Sequence, residues 1–233
     1  MTKKTDPADP IAMVAFHSAL RRDLRRTRLI LETDVSRARK ARLGRHLLWM
    51  IEQLRWHHEG EDIELWPFLG QRDPQLRQAL GEMQSEHEAI DRPLAALESA
   101  ARGLVTGWGD GGAVIAALDD LEGPLLEHLR HEEEQLLPQV TRLMTQHEWD
   151  DFQQRAWIRG NTLPQAARFI AWLVDRADWT PDQVRRLGLP WLAYALAVKP
   201  LCDLGRAVFG SPWRRTAAAA VGPLVADDYG LVR

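Results

Sequence analysis

Two stretches of the chain repeat each other, and both break an apolar seam at the same place. Offset by 71 residues, Leu43, Leu47, Met50, Leu54, His57, Glu61, Leu65 and Leu69 fall on Val114, Leu118, Leu121, Leu125, His128, Glu132, Leu136 and Val140. Offset by 70, Met13, His17, Leu20 and Leu24 fall on Met83, His87, Ile90 and Leu94. Steps of three and four trace one face of an α-helix. The repeated unit is a helix carrying one His, then a helix carrying His-x-x-x-Glu. Pro67 and Pro138 also coincide, six residues after each Glu.

The periodicity predicts helices over about 8–33, 36–70, 74–105 and 112–144. Punctuation agrees. Asp73-Pro74 is an N-cap followed by Pro at the first helical position, and the Gly-rich run at 107–112 is a loop. Thr145 with Glu148 reads as a capping box opening a fifth helix at about 146–158; Thr162 with Gln165 and Thr180 with Gln183 mark further starts. No run alternates with period two, so no sheet is expected. Four inward seams predict an all-α, up-down-up-down four-helix bundle over residues 1–158. Residues 159–233 read as a helical, Trp- and Pro-rich C-terminal extension, with short helices over 166–174 and 189–198. Charge divides the chain similarly: residues 1–150 carry 19 basic and 26 acidic side chains, residues 151–233 carry 11 and 7.

A bundle interior wants apolar groups, and burying a carboxylate without partners costs several kcal/mol. Four His and two Glu nevertheless fall on the core faces. Residues i and i+4 share a helix face, so His57 with Glu61, and His128 with Glu132, can ligate together. Two cations in the 2+ or 3+ state would neutralise both carboxylates. Imidazole and carboxylate without thiolate suit iron or manganese, with zinc possible. The alternative is a metal-free bundle whose His–Glu layers fix register.

Other classes are disfavoured. The net charge of -3 gives no basic field for nucleic acid. The single cysteine, Cys202, excludes an intrachain disulfide and any Cys-based zinc or iron–sulfur site. No signal-peptide core follows Met1, and the apolar stretch at 187–198 is too short to span a bilayer. A cytoplasmic protein without membrane contact is expected. Both tyrosines, Tyr194 and Tyr229, lie outside the bundle, which argues against a tyrosyl radical there.

The segments Phe16-His17, His57-His58-Glu59-Gly60-Glu61-Asp62-Ile63-Glu64-Leu65-Trp66-Pro67, Glu86-His87-Glu88 and His128-Leu129-Arg130-His131-Glu132-Glu133-Glu134-Gln135-Leu136-Leu137-Pro138 resemble the hemerythrin-like (HHE cation-binding) domain. The pattern H…HxxxE…H…HxxxE is similar to its symmetric subclass, over about residues 10–158. The resemblance implies two iron ions (Fe2+/Fe3+) with an oxo or hydroxo bridge. By the same resemblance His17 and His57 hold one iron, His87 and His128 the other, and Glu61 and Glu132 bridge. Oxygen-carrying members have a fifth His one turn after the third-helix ligand. Here that position is Asp91, which weakens the case for reversible oxygen carriage. Asp91 and His131 are candidate additional ligands.

His58 could pair with Asp62 in a rival register, but the repeat and Pro67 favour His57 with Glu61; His58 reads as an outer or surface group. His46 reads as a bundle-end histidine and His147 as solvated. Pro67, Pro138 and Pro93 should kink or end their helices. The expected function is a non-haem di-iron protein that binds or reacts with O2, H2O2 or NO, with catalase-like peroxide breakdown as a family-implied activity. No catalytic residue beyond the metal ligands stands out. The rival is an iron, oxygen or redox sensor that signals through the extension without turnover. Trp157, Trp172, Trp179, Trp191 and Trp213 lie in or near that extension. It is expected to pack on the bundle; a homodimer contact and a protein-partner surface are the alternatives.

Overall fold

The computed structural model describes residues 5–176, 180–186, 195–196, 200 and 212–224. The long helices lie where the seam spacing puts them: α1 (Ile11–Leu31), α2 (Arg37–Gly60), α3 (Trp66–Arg72), α4 (Arg77–Thr106), α5 (Gly111–His131) and α6 (Leu137–Leu143). Three shorter ones follow, α7 (Gln146–Gln153), α8 (Leu163–Leu173) and α9 (Pro181–Arg186). α2 packs on α4, α4 on α5 and α5 on α1, which makes a helical bundle. Short connections between long helices set neighbours antiparallel. Among the described residues the only bridge of β type is an isolated pair, Pro7 with Thr145.

The helix ends use the expected chemistry. The Asp110 side chain accepts the Ala113 N–H, and Asp73 accepts the Gln75 N–H. Gly107 closes α4 at φ +78°, where a side chain would be strained. Thr145 and Glu148 form a full capping box, as do Thr162 and Gln165.

The two HxxxE helices differ from a plain α-helix in one respect. Each carries a π turn, Glu61–Leu65 between α2 and α3 and Glu132–Leu136 between α5 and α6. The Trp66 N–H reaches back to the Glu61 carbonyl and the Leu137 N–H to that of Glu132, five residues instead of four. Pro67 and Pro138 come next and have no N–H to donate. The prolines therefore do not end the rods, which run on to Arg72 and Leu143. The widened turn absorbs the missing bond.

The core forms two apolar blocks along the bundle. One contains Leu20, Leu24, Leu43, Leu47, Leu54, Leu94, Leu97, Leu118, Leu121 and Leu125. The other contains Met13, Leu65, Leu69, Met83, Leu136, Val140 and Trp149. The seam-breaking His and Glu residues separate the two. Trp172 and Trp213 are buried in the first block, and α1 contacts α8 and the 3-10 turn Ala217–Ala220. The helix expected at 166–174 is α8. The one expected at 189–198 lies almost wholly outside the described residues, as do Trp179, Trp191 and Cys202. Among the described residues no helix is long and apolar enough to cross a membrane.

Candidate metal centre

Six seam side chains from four helices meet between the apolar blocks. His17 comes from α1, His57 from α2, His87 from α4 and His128 from α5, while Glu61 and Glu132 open the two π turns. All six are buried. The imidazoles face each other in pairs: His17 Nε2 is 3.3 Å from His57 Nε2, and His87 Nε2 is 3.2 Å from His128 Nε2. Glu61 spans the pairs, with Oε1 2.9 Å from His57 Nε2 and Oε2 3.5 Å from His87 Nε2. Glu132 Oε2 lies 3.2 Å from His17 Nε2.

Three of the four imidazoles are oriented from behind by a carboxylate. His17 Nδ1 is 3.0 Å from Glu133 Oε1, His87 Nδ1 is 2.9 Å from Asp62 Oδ1, and His128 Nδ1 is 3.1 Å from Glu86 Oε2. An Nδ1–H donated outward leaves the Nε2 lone pair facing inward, the tautomer a metal ligand needs. Arg21 in turn donates to Glu133 at 2.7 Å. Sequence reasoning missed these carboxylates. The signal was their place beside a seam residue: Asp62 and Glu133 occupy equivalent positions of the repeat.

His57 is held differently. Its ring lies between Phe16, stacked at 4.3 Å, and Trp157, tilted at 5.0 Å. Trp157 donates its indole N–H to the His57 carbonyl at 3.4 Å. Gly60 makes room, since a Cβ there would come within 2.5 Å of the indole nitrogen. Phe16 is the repeat mate of Glu86, so the pseudo-symmetry exchanges a carboxylate for a stacking ring.

Burial, together with the charge of Glu132, pushes Glu61 well above the usual carboxylate range. Burial acts on Glu132 in the same direction, but the charges of His17 and the other imidazoles outweigh it and bring Glu132 down to about 2. Burial likewise opposes charge on His17, and Glu132 and Glu133 overcome it and raise its pKa. His57 and His58 are driven well down by burial and by the neighbouring imidazoles. Without a cation, two carboxylates this close do not both ionise.

The remaining candidates divide. His58 is buried, not superficial; a donor atom on each of His58, Glu61, His87 and His128 lies within 4.8 Å of the others, as for His17, His57 and Glu132. Asp91 is exposed and joins neither group. The inward step after His87 is three residues, to Ile90, and this turns position 91 outward. His131 is half-buried and also outside both groups, paired with Glu86 Oε1 at 2.7 Å and Glu127 Oε1 at 2.9 Å. His46 is satisfied by Asp23 Oδ2 at 2.6 Å, and His147 is exposed.

Both oxygens of Glu61 and of Glu132 are buried without a hydrogen-bond partner. Four ring nitrogens converge on the same space. This set of nitrogen and oxygen donors fits a cation pair, and its lack of sulfur favours iron or manganese over softer metals. The family model described as hemerythrin HHE cation binding domain matches residues 11–140. No curated protein and no solved structure matches the chain.

Proposed function

The chain belongs to the hemerythrin HHE cation-binding domain family, and from that premise we propose that it is a non-haem di-iron protein that binds or reacts with O2, H2O2 or NO, with peroxide breakdown as its activity. In this reading His17 and His57 hold one iron, His87 and His128 hold the other, and Glu61 and Glu132 bridge. The observation that carries it is the Glu61 carboxylate, which puts one oxygen on each imidazole pair and has no hydrogen bond to compensate its burial. An iron pair bound there supplies electron exchange with small oxidants.

The chain's own residues provide the rest. Glu133, Asp62 and Glu86 fix the tautomer and direction of His17, His87 and His128. Phe16 and Trp157 shield His57 from water. The apolar blocks on either side keep bulk solvent from the six buried side chains. The single cysteine supports a cytoplasmic setting.

The test combines metal analysis, the visible spectrum of aerobically purified protein and oxygen evolution from H2O2. Two irons per chain, oxo-to-iron charge-transfer bands, and turnover lost in His57→Ala and Glu61→Ala are expected. Iron-free protein, or variants as active as the wild type, would reject the reading.

A sensor reading has one specific support. His57 touches Phe16, and Phe16 meets Trp172 of α8 at 5.4 Å edge to face, so the site is in packing contact with the segment we assign to the 159–233 extension. Iron loading or oxidation would then change how that extension is held and offer it to a partner or a second copy. Limited proteolysis of metal-free, reduced and oxidised protein should differ in that segment; identical patterns would dismiss this reading.

A further inference from the structure

We propose that His58 receives the small anionic ligand of the centre by donating a ring N–H to it, so that the His87/His128 half is the one that takes up exogenous molecules. This rests on the di-iron reading above and specifies which half is used. The two halves share their His and Glu pattern, so any preference must come from a residue that breaks the repeat within reach of the metal-facing atoms. His58 is such a residue: 71 positions on, its mate is Leu129, buried and apolar.

His58 is 7 % exposed, and its Nε2 is buried with no hydrogen-bond partner. An unpaired polar nitrogen in a closed interior is destabilising unless something bound there satisfies it. One of its ring nitrogens lies within 4.8 Å of donor atoms on Glu61, His87 and His128, so it borders the site itself. Two roles could satisfy it: a third imidazole ligand, or a hydrogen bond to something held at the metals.

Ring geometry separates them. The His58 ring is stacked on His87, centroids 4.0 Å apart and planes 9° apart. Imidazole binds a metal in the plane of its ring. A cation in the plane of His87 would be displaced from the parallel plane of His58 by close to the stacking distance, so the two rings cannot serve one metal in this arrangement. His58 is thus placed beside a metal position without ligating it. A neutral imidazole there offers an N–H to a small anion such as azide, or to a peroxide, taken up next to His87.

Azide titration of the full-length, iron-loaded, oxidised protein tests this through the visible charge-transfer band and the iron content. His58→Leu copies the other half of the repeat, and His58→Gln keeps an N–H donor. We expect His58→Leu to retain both irons but bind azide about tenfold or more weakly, the scale of a hydrogen bond to a charged group, and His58→Gln to recover most of the loss. Azide affinity unchanged in His58→Leu would overturn the assignment. So would loss of one iron in His58→Leu, which would make His58 a ligand. No azide band in iron-loaded wild type would likewise overturn the assignment, whereas a wild-type protein that holds no iron would sink the di-iron reading.

Discussion

Glu61 and Glu132 are repeat mates, each the first residue of a π turn and each fully buried, yet without a cation between them their pKa values are moved in opposite directions. Burial and the Glu132 charge favour the protonated form of Glu61, while His17 favours the ionised form of Glu132. Glutamine copies a protonated carboxyl. Chelated Glu61→Gln is therefore expected to unfold near the wild-type urea midpoint. Chelated Glu132→Gln leaves the charge on His17 without its fully buried counter-charge and should lose about 3 kcal/mol, the cost of breaking a buried pair. Both should bind iron poorly. Equal midpoints in the two chelated variants would contradict the assignment of charge.

The same shifts give the metal-free protein a stability maximum in pH. Glu61 has its folded pKa raised above the ordinary 4.5, so its contribution is full below that value and is lost as pH rises through the raised one. Glu132, lowered to about 2, contributes above 4.5 and loses that contribution as pH falls toward 2. Cations bound between the carboxylates require both to be ionised, so the loaded protein should lack the decline on the alkaline side. Chelation should lower the melting temperature at neutral pH, by mass action and by this proton linkage. Melting curves of chelated and iron-loaded protein across pH check both; parallel pH profiles would count against the linkage.

The helices, the apolar seams and the meeting of the six His and Glu side chains were legible because helical spacing alone determines which residues face inward. What lay one residue off the seam was not. His58 sits 100° from His57 around α2, a direction that is solvent for a lone helix and α4 in the bundle. Asp62, Glu86 and Glu133 each adjoin a seam residue, and the seam spacing by itself assigns such a position no inward role. Asp91 lies one turn after His87 when the turn is counted as four residues, but the seam steps by three to Ile90, and Asp91 is exposed. The π turns leave no mark on periodicity beyond the paired prolines that follow them.

Asp62, Glu86 and Glu133 offer a test of pre-orientation. Asp62→Asn, Glu86→Gln and Glu133→Gln preserve volume but weaken the hold on the outward Nδ1–H. Loss of such a partner usually costs about 10–100-fold in metal affinity or activity. Competition with a chelator should show that loss in each variant with little change in helix content. His57 has no carboxylate of this kind, and in its half Phe16 takes the place of Glu86. Phe16→Leu should therefore weaken iron retention by removing the stack on His57. Iron held as firmly in all four variants as in the wild type would show that packing alone orients the imidazoles.

Asp23 organises a second buried polar cluster, and it ties α1 to the residues beyond the bundle. Its Oδ1 accepts from Arg22 Nε at 2.9 Å and Arg26 Nη1 at 3.3 Å, and its Oδ2 accepts from Trp172 Nε1 at 2.8 Å. Arg22 also donates to the carbonyls of Trp172 and Asp175, and Arg26 to the carbonyl of Val221 and the carboxylate of Asp175. Burial alone would raise the pKa of Asp23, but Arg22, His46 and Arg26 outweigh it and hold the carboxyl well below its ordinary range. Asp23→Asn keeps the shape and leaves two buried guanidinium groups short of a counter-charge. A loss of about 3 kcal/mol or more is expected, and it should be local. Proteolysis within 159–176 and 212–224 should accelerate, while the iron content stays at the wild-type level because Asp23 belongs to neither metal-facing group. Loss of iron with an unchanged cleavage pattern would mean that the two polar clusters are one energetic unit.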